Sequence, residues 1–488
     1  MREKSRFYCN FPTMNNSSSP IDFNSQTEKL NFKTKLAYGV GELGGAIPNN
    51  ILVFFALYFF TNVAGLNPSL AGSLVLVGKA WDAFNDPLIG WLSDKTRSPL
   101  GRRYPWMLLG AIPLGISFFL YWVIPPTRNQ WQLFFYYSII SIIYYASVSS
   151  VLVPFSTLAA ELTQGYNERT NLISFKSSFA IGGSIFALIL AQIILSIVEP
   201  PQSYLYLGVI SALLSILAVY LCVWGTYKRY KFMQNKRDQI QRQPPEPIFK
   251  QFKIALSNKP FLCVIGIYLC SWLGVQVTAA ILPYFVIDWM KLTKSHFTQM
   301  ALAVQGTALI MMFFWSAMGQ RFGKRAIYCM GIPATIIAQA GFFFLQPGQV
   351  TLMYILAIIA GIGISVAYLV PWSMLPDVVD LDELNTGQRR EGIFYGFVVQ
   401  LQKFGVAGAL FLVGKTLDWA GLIPTVASEI PPIQPDSVLW TIRLIIGPIP
   451  TLMLIIGLVL ASFYPITRSK HEEIVLKISE RRNSVVES

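Results

Sequence analysis

Long apolar runs separated by short polar gaps set the pattern of this chain. Six runs, at about 36–62, 70–92, 106–124, 131–160, 172–198 and 204–225, precede a polar segment. Six more follow it, at about 261–289, 298–319, 326–345, 352–376, 393–419 and 439–464. As helices rising ~1.5 Å per residue, such runs match a hydrocarbon core of about 30 Å. Backbone groups in lipid must be satisfied internally, and apolar runs of this length do so as helices. The pattern therefore predicts an all-α membrane protein of about 12 transmembrane helices in two six-helix bundles. The expected organisation is a disordered polar cytoplasmic tail at 1–35, a bundle at 36–226, a Lys-, Arg- and Pro-rich cytoplasmic linker at 227–259, a bundle at 260–467 and a cytoplasmic tail at 468–488.

The two halves echo each other. Val153-Pro154-Phe155-Ser156-Thr157-Leu158 returns as Val370-Pro371-Trp372-Ser373-Met374-Leu375, with Glu161 and Asp377 following at nearly matching offsets. Gly101-Arg102-Arg103 after the second run returns as Gly323-Lys324-Arg325 after the eighth. Parallel six-span repeats are a transporter architecture, with the substrate near the midplane between them.

Composition agrees with the pattern: 53% of residues are hydrophobic and 13% charged, where a soluble protein carries about a quarter charged. The net charge of +13 lies mostly in gaps on alternate sides of the runs, which is topology rather than a nucleic-acid patch. The gaps after even-numbered runs hold Arg102, Arg103, Arg169, Lys324, Arg325 and Arg389. That bias predicts cytoplasmic termini and linker for a multi-pass protein of the plasma (inner) membrane. Five cysteines without a CxxC and two histidines give no disulfide frame, metal site or histidine chemistry. The run ending in Gly414-Lys415-Thr416 imitates a phosphate loop but lies within an apolar span. No enzymatic constellation and no cofactor follow from the sequence.

The candidate chemistry sits in the second run, at Trp81-Asp82-Ala83-Phe84-Asn85-Asp86-Pro87. Asp82 and Asp86 share one helix face a turn apart, with Lys79 on roughly the same side. A charge near the bilayer centre costs on the order of 3 kcal/mol, so such residues normally face a polar cavity. Two stacked carboxylates form a candidate site for Na⁺ or H⁺, against the plainer reading of an ion pair with an intramembrane lysine. Lys403, central in the eleventh run, is a candidate coupling cation. Lys176 and Glu42 lie nearer span ends, where snorkelling competes with a binding role. Asp94 with Arg102 and Arg103 reads as a cytoplasmic gating latch or as topology alone.

These residues resemble the major facilitator superfamily and, more narrowly, the glycoside-pentoside-hexuronide:cation symporters, the melibiose permease family. The likeness is carried by Tyr38-Gly39-Val40-Gly41, the segment from Trp81 to Gly90, Asp94-Lys95-Thr96-Arg97, Glu168-Arg169-Thr170, Asp377-Val378-Val379-Asp380, and Tyr395 with Lys403. It implies cation-coupled symport of a sugar or glycoside, with Asp82 and Asp86 as the cation pair, Lys403 beside them and Tyr368 lining the sugar site. The partners implied are a small-molecule solute, the cation and the bilayer. This chain departs from the permease where sugar hydroxyls are bound: Ala46 and Leu152 replace aspartates, and Ser177, beside Lys176, replaces an arginine. The departures make an amphiphilic solute such as a lysolipid the alternative. A non-transporting receptor of the same fold is the reading from another class.

Overall fold

The computed structural model describes residues 30–163, 166–237, 256–386, 391–424 and 432–487, which hold helices and no β-strand. The first half comprises α1 (Phe32–Asn62), α2 (Pro68–Lys95), α3 (Tyr104–Leu120), α4 (Gln130–Leu162), α5 (Tyr166–Ile197) and α6 (Gln202–Arg237). The second comprises α7 (Lys259–Tyr284, continued by a π-helical turn at Phe285–Trp289), α8 (Lys294–Phe322), α9 (Lys324–Phe344), α10 (Val350–Thr386) and α11 (Glu391–Ala420). It closes with α12 (Asp436–Ile446), α13 (Pro448–Ser462) and α14 (Arg468–Glu487). Side-chain oxygens of Asn31, Asn67, Asn129 and Asn258 accept backbone N–H groups at the starts of α1, α2, α4 and α7. These four caps satisfy donors that the first helical turn leaves open.

Among the described residues, ten helical stretches are long and apolar enough to cross a membrane. The remaining two expected spans are α3, an apolar helix of 17 residues, and α2, whose apolar character is diluted by Lys79, Asp82 and Asp86. Outward faces stay apolar, with Leu109, Ile139, Leu213 and Phe313 all more than half exposed. In water such a surface would be a liability; against lipid it is the expected exterior.

Four expectations need correction. Residues 227–237, read as the start of the linker, continue α6. Lys and Arg are good helix formers, and Tyr230 within this stretch packs edge-on against Tyr104 of α3 at 4.8 Å. The C-terminal tail likewise forms α14, with Ile474 buried. The twelfth run is two helices rather than one, because Pro448 disfavours a helical conformation at Gly447. Residues 32–35, assigned to the N-terminal tail, begin α1. The rest of that tail to residue 29 and the linker from 238 to 255 lie outside the described residues.

The packing scheme repeats. In the first half α1 lies on α5 and α6, α2 on α4, and α3 on α4 and α6. In the second, α7 lies on α11 and α13, α8 on α10, and α9 on α10 and α13. The halves meet through α1 with α7, α2 with α11, and α5 with α8. Exchanging the halves converts the α2–α11 contact into α8–α5, so the interface has approximate twofold character. The charged segment of α2 lies on that interface.

Candidate functional site

Asp82 and Asp86 occupy consecutive turns of α2 and face α11. Lys403 Nζ lies 2.9 Å from Asp82 Oδ2 and 2.5 Å from Asp86 Oδ2. Asp82 is 4% exposed, so one lysine ammonium is shared by two carboxylates largely sheltered from solvent, and the trio keeps one negative charge in excess. Ser149 of α4 donates to Asp82 Oδ1 at 3.3 Å. Asn85 is also buried, and among the described residues its Nδ2 has no hydrogen-bond partner.

Pro87 shapes the same turn. It lacks the N–H that would bond the carbonyl of Ala83, four residues earlier. Gln400 of α11 donates to that carbonyl instead, at 3.2 Å. A proline in one helix thus supplies an acceptor for the other, one turn from the Lys403 pairs.

A cavity of about 100 Å³ adjoins the site between α1, α2, α4, α7 and α11. Lys79 and Lys403 line it with Asn49, Gln276, Trp272 and Tyr145, beside aliphatic side chains including Leu52, Val53 and Leu410. Lys79 does not pair with Asp82 or Asp86; its ammonium lies over the Tyr145 ring, 4.8 Å from the centroid. Both aspartates therefore belong to Lys403, on the opposite half.

Three expected substrate residues do not line this cavity. Tyr368 stands behind it, its ring 5.4 Å from that of Trp272, which does line it. Glu42 and Lys176 approach each other to 3.7 Å between α1 and α5. Ala46 is buried and Leu152 fills the space beside Gly45.

The latch residues come together. Arg103 bonds Asp94 at 2.6 Å and Ser93 Oγ at 2.7 Å. Arg102 and Arg103 also converge on Glu161 at the end of α4. In the second half Lys324 reaches Asp377 at 2.6 Å and the Ser373 carbonyl at 2.6 Å. The two sequence echoes are thus the two ends of one ion pair, built once per half. Gly101 and Gly323 open it with φ of +87° and +85°.

At the end away from these loops the halves are closed. Thr61 and Tyr284 share a hydrogen bond at 2.6 Å, and Phe55 packs edge-on against Phe297 at 5.0 Å. Asn67 Nδ2 donates to Asp418 Oδ1 at 2.8 Å, and Ser69 donates to the other oxygen. Gln192 donates to Ser295 between α5 and α8.

The sequence singled out Asp82, Asp86 and Lys403, and the fold brings all three together. It did not identify Ser149, Asn85, Gln400 or Asp418 as parts of the assembly. Only Asn85 carried a signal, lying inside the charged segment one residue from Asp86.

This arrangement of two six-helix repeats around a charged interface can be compared with known proteins. The sequence profile described as MFS/sugar transport protein matches residues 37–468. The chain belongs to that family. Within it, an uncharacterized symporter of Synechocystis is 45% identical, covering 94% of this chain and 98% of its own. The sodium-dependent lysophosphatidylcholine symporter 1 of Gallus gallus is 27% identical, over 94% of this chain and 92% of its own. Among solved structures, a bacterial homologue of the human lysosomal transporter Spinster has a TM-score of 0.64 at 12% identity. That match covers 91% of this chain and 97% of the homologue, and it shows the shared fold. The protein is accordingly a multi-pass membrane transporter of the major facilitator superfamily, with symporters among its relatives.

Proposed function

We propose that this protein is a cation-coupled symporter in which Na⁺ or H⁺ and the Lys403 ammonium compete for Asp82 and Asp86. The observation that carries the reading is the double pairing of Lys403 across the α2–α11 interface. Carboxylate and hydroxyl oxygens from Asp82, Asp86 and Ser149 are hard donors suited to Na⁺, and a carboxylate also accepts H⁺. Cation entry would release Lys403, loosen α2 from α11 and change the cavity that the solute meets. Because coupling is a shared free energy, the cation and the solute tighten each other's binding by the same factor.

Alternating access follows from the two ends. Asp418, Tyr284 and Ser295 close one end, and the Glu161 and Asp377 latches sit at the other. The lysine- and arginine-rich loops favour the cytoplasmic side of a plasma membrane for the latches, and with the opposite end closed we read this as an inward-directed state.

For the solute, we favour an amphiphile of lysolipid type over a sugar. Half of the cavity wall is aliphatic, Ala46 and Leu152 offer nothing to a sugar hydroxyl, and the Gallus gallus relative is named for lysophosphatidylcholine. The sugar reading keeps the support of the family description and of Trp272, whose flat ring can stack on a pyranose.

The test is solute-driven cation uptake into proteoliposomes, screening lysolipids, glycosides and uronates, with Asp86→Asn as the control. Uptake of Na⁺ or H⁺ that one solute drives and Asp86→Asn abolishes supports the reading. Solute movement that needs no cation and survives in Asp86→Asn overturns coupling at this site.

A further inference from the structure

The lysines in the cavity are not equivalent. Lys403 is satisfied twice over, by Asp82 and Asp86. Lys79 lines the same cavity, and among the described residues no carboxylate lies within 4.0 Å of it; its one described charge contact is the Tyr145 ring. Gly78 produces that contact. A Cβ there would lie 2.2 Å from Ser141 Oγ and 2.5 Å from Tyr145 Cε2, so the glycine lets α4 close on α2 and slide the ring beneath Lys79. The other polar groups lining the cavity are neutral: Asn49, Gln276, Gln402, Tyr121 and Tyr145.

An intramembrane ammonium without a counter-charge is costly. A cation–π contact returns only about 0.5–2 kcal/mol, less than a hydrogen-bonded ion pair in such a place. The cavity therefore presents one ammonium with no carboxylate of its own, on a face that a solute reaches.

We propose that Lys79 receives an anionic group of the solute, a phosphate or a carboxylate, and that Lys403 joins it when the cation takes over Asp82 and Asp86. The inference rests on the central cavity being the transport site. It extends that reading by requiring a negative charge on the solute and by naming the residue that binds it. It also gives coupling a physical route. The cation frees an ammonium, and the freed ammonium is a second partner for the solute's anion, so each ligand prepares the site for the other.

The experiment measures equilibrium binding to purified full-length protein in lipid nanodiscs, with and without Na⁺ and at two pH values. Matched probes isolate the charge: lysophosphatidate against monoacylglycerol, and a phenyl glucuronide against the phenyl glucoside. The expected result is binding of at least one anionic probe, with its neutral partner weaker by about tenfold or more. Lys79→Gln should remove that preference and Lys79→Arg should keep it. The lipid and sugar arms separate a phosphate from a uronate source. Thermal unfolding and size-exclusion profiles establish that Lys79→Gln is folded. Equal binding of neutral and anionic probes, binding of neither anion, or an anion preference intact in folded Lys79→Gln overturns the proposal. If the preference depends on Lys79 but neither Na⁺ nor pH alters it, the anion site stands and the symport reading fails.

Discussion

Gln400 on α11 donates to the carbonyl of Ala83 on α2, the acceptor that Pro87 leaves without a helical donor. The two helices are thus joined by a bond that exists because one of them is imperfect. It lies beside the Lys403 pairs, so the strength of that joint and the occupancy of the charged site are linked.

Replacing Pro87 by alanine restores an N–H that competes for the Ala83 carbonyl. The helix itself gains, since a proline in a helix interior costs about 3 kcal/mol. The interface loses a hydrogen bond worth about 0.5–1.5 kcal/mol. Because the proposed cation-bound form is the one with α2 loosened from α11, the expected outcome is a raised melting temperature together with a cation affinity strengthened about three- to tenfold. Gln400→Ala should reproduce the affinity gain without the stabilisation. Calorimetric titration and a thermal melt distinguish the two.

Lys403→Ala leaves two carboxylates facing each other without a cation. Removing one partner of a buried pair costs about 3–5 kcal/mol, here reduced by the partial exposure of Asp86 and Lys403. The variant should melt lower than wild type in Na⁺-free or neutral buffer and recover more of the loss when the coupling cation is supplied, because ligand binding to the folded state stabilises it. A melt that responds to the cation no more than wild type counts against competition between Lys403 and the cation.

Gly72 and Gly414 bring α2 and α11 into backbone contact at the closed end. A Cβ on Gly414 would fall 2.5 Å from the Pro68 carbonyl, and one on Gly72 would fall 2.9 Å from that of Phe411. Gly414→Val should therefore hold this end apart. Initial transport rates should drop below about a tenth of wild type, overpacking of this kind costing about 1–3 kcal/mol in the closed state alone. Cysteines at 67 and 418 report the geometry: N67C and D418C should cross-link in an otherwise wild-type background, and much less beside Gly414→Val.

The duplicated latch predicts an order of damage. Glu161 is 5% exposed and faces two arginines, whereas Asp377 faces Lys324 and His471. Glu161→Gln takes the buried carboxylate from two guanidinium groups, leaving them Asp94, and should destabilise by about 1–3 kcal/mol, with Asp377→Asn costing less. Lying in different halves, the two changes should add within about 0.5 kcal/mol in the double variant. Denaturant unfolding in detergent measures all three.

Much of this was legible in the chain. Apolar runs located the spans, and the four-residue spacing of Asp82 and Asp86 put both on one face. Two short echoes, at Gly101 and Gly323 and at Glu161 and Asp377, marked the two halves. Sequence named Lys403 beside the two aspartates but left Lys79 open as their partner. Asp82 is three residues from Lys79 and 321 from Lys403, yet the remote lysine is the partner, because α11 rather than the α2 surface supplies the shelter. Ser149 was invisible for the same reason, a serine in an apolar run having no signature until α4 packs on α2. The extension of α6 was missed because its charged residues resemble a linker in composition while Tyr230 and Met233 still bury a face.

The four charges gathered on α2 and α11 bear on how membrane voltage acts. Counted formally, Asp82, Asp86, Lys79 and Lys403 cancel, so the empty carrier presents no net charge at this level of the bilayer. On the proposed scheme one bound cation leaves it positive, and an anionic solute returns it to balance. Only the empty and the doubly loaded forms then cross between states without carrying charge through hydrocarbon, and the form holding the cation alone is held back by a penalty of about 3 kcal/mol. Leak of uncoupled cation is suppressed electrostatically, with no additional gate. A transmembrane potential, worth about 2.3 kcal/mol per charge per 100 mV, would act mainly on ligand entry rather than on the rocking of the halves.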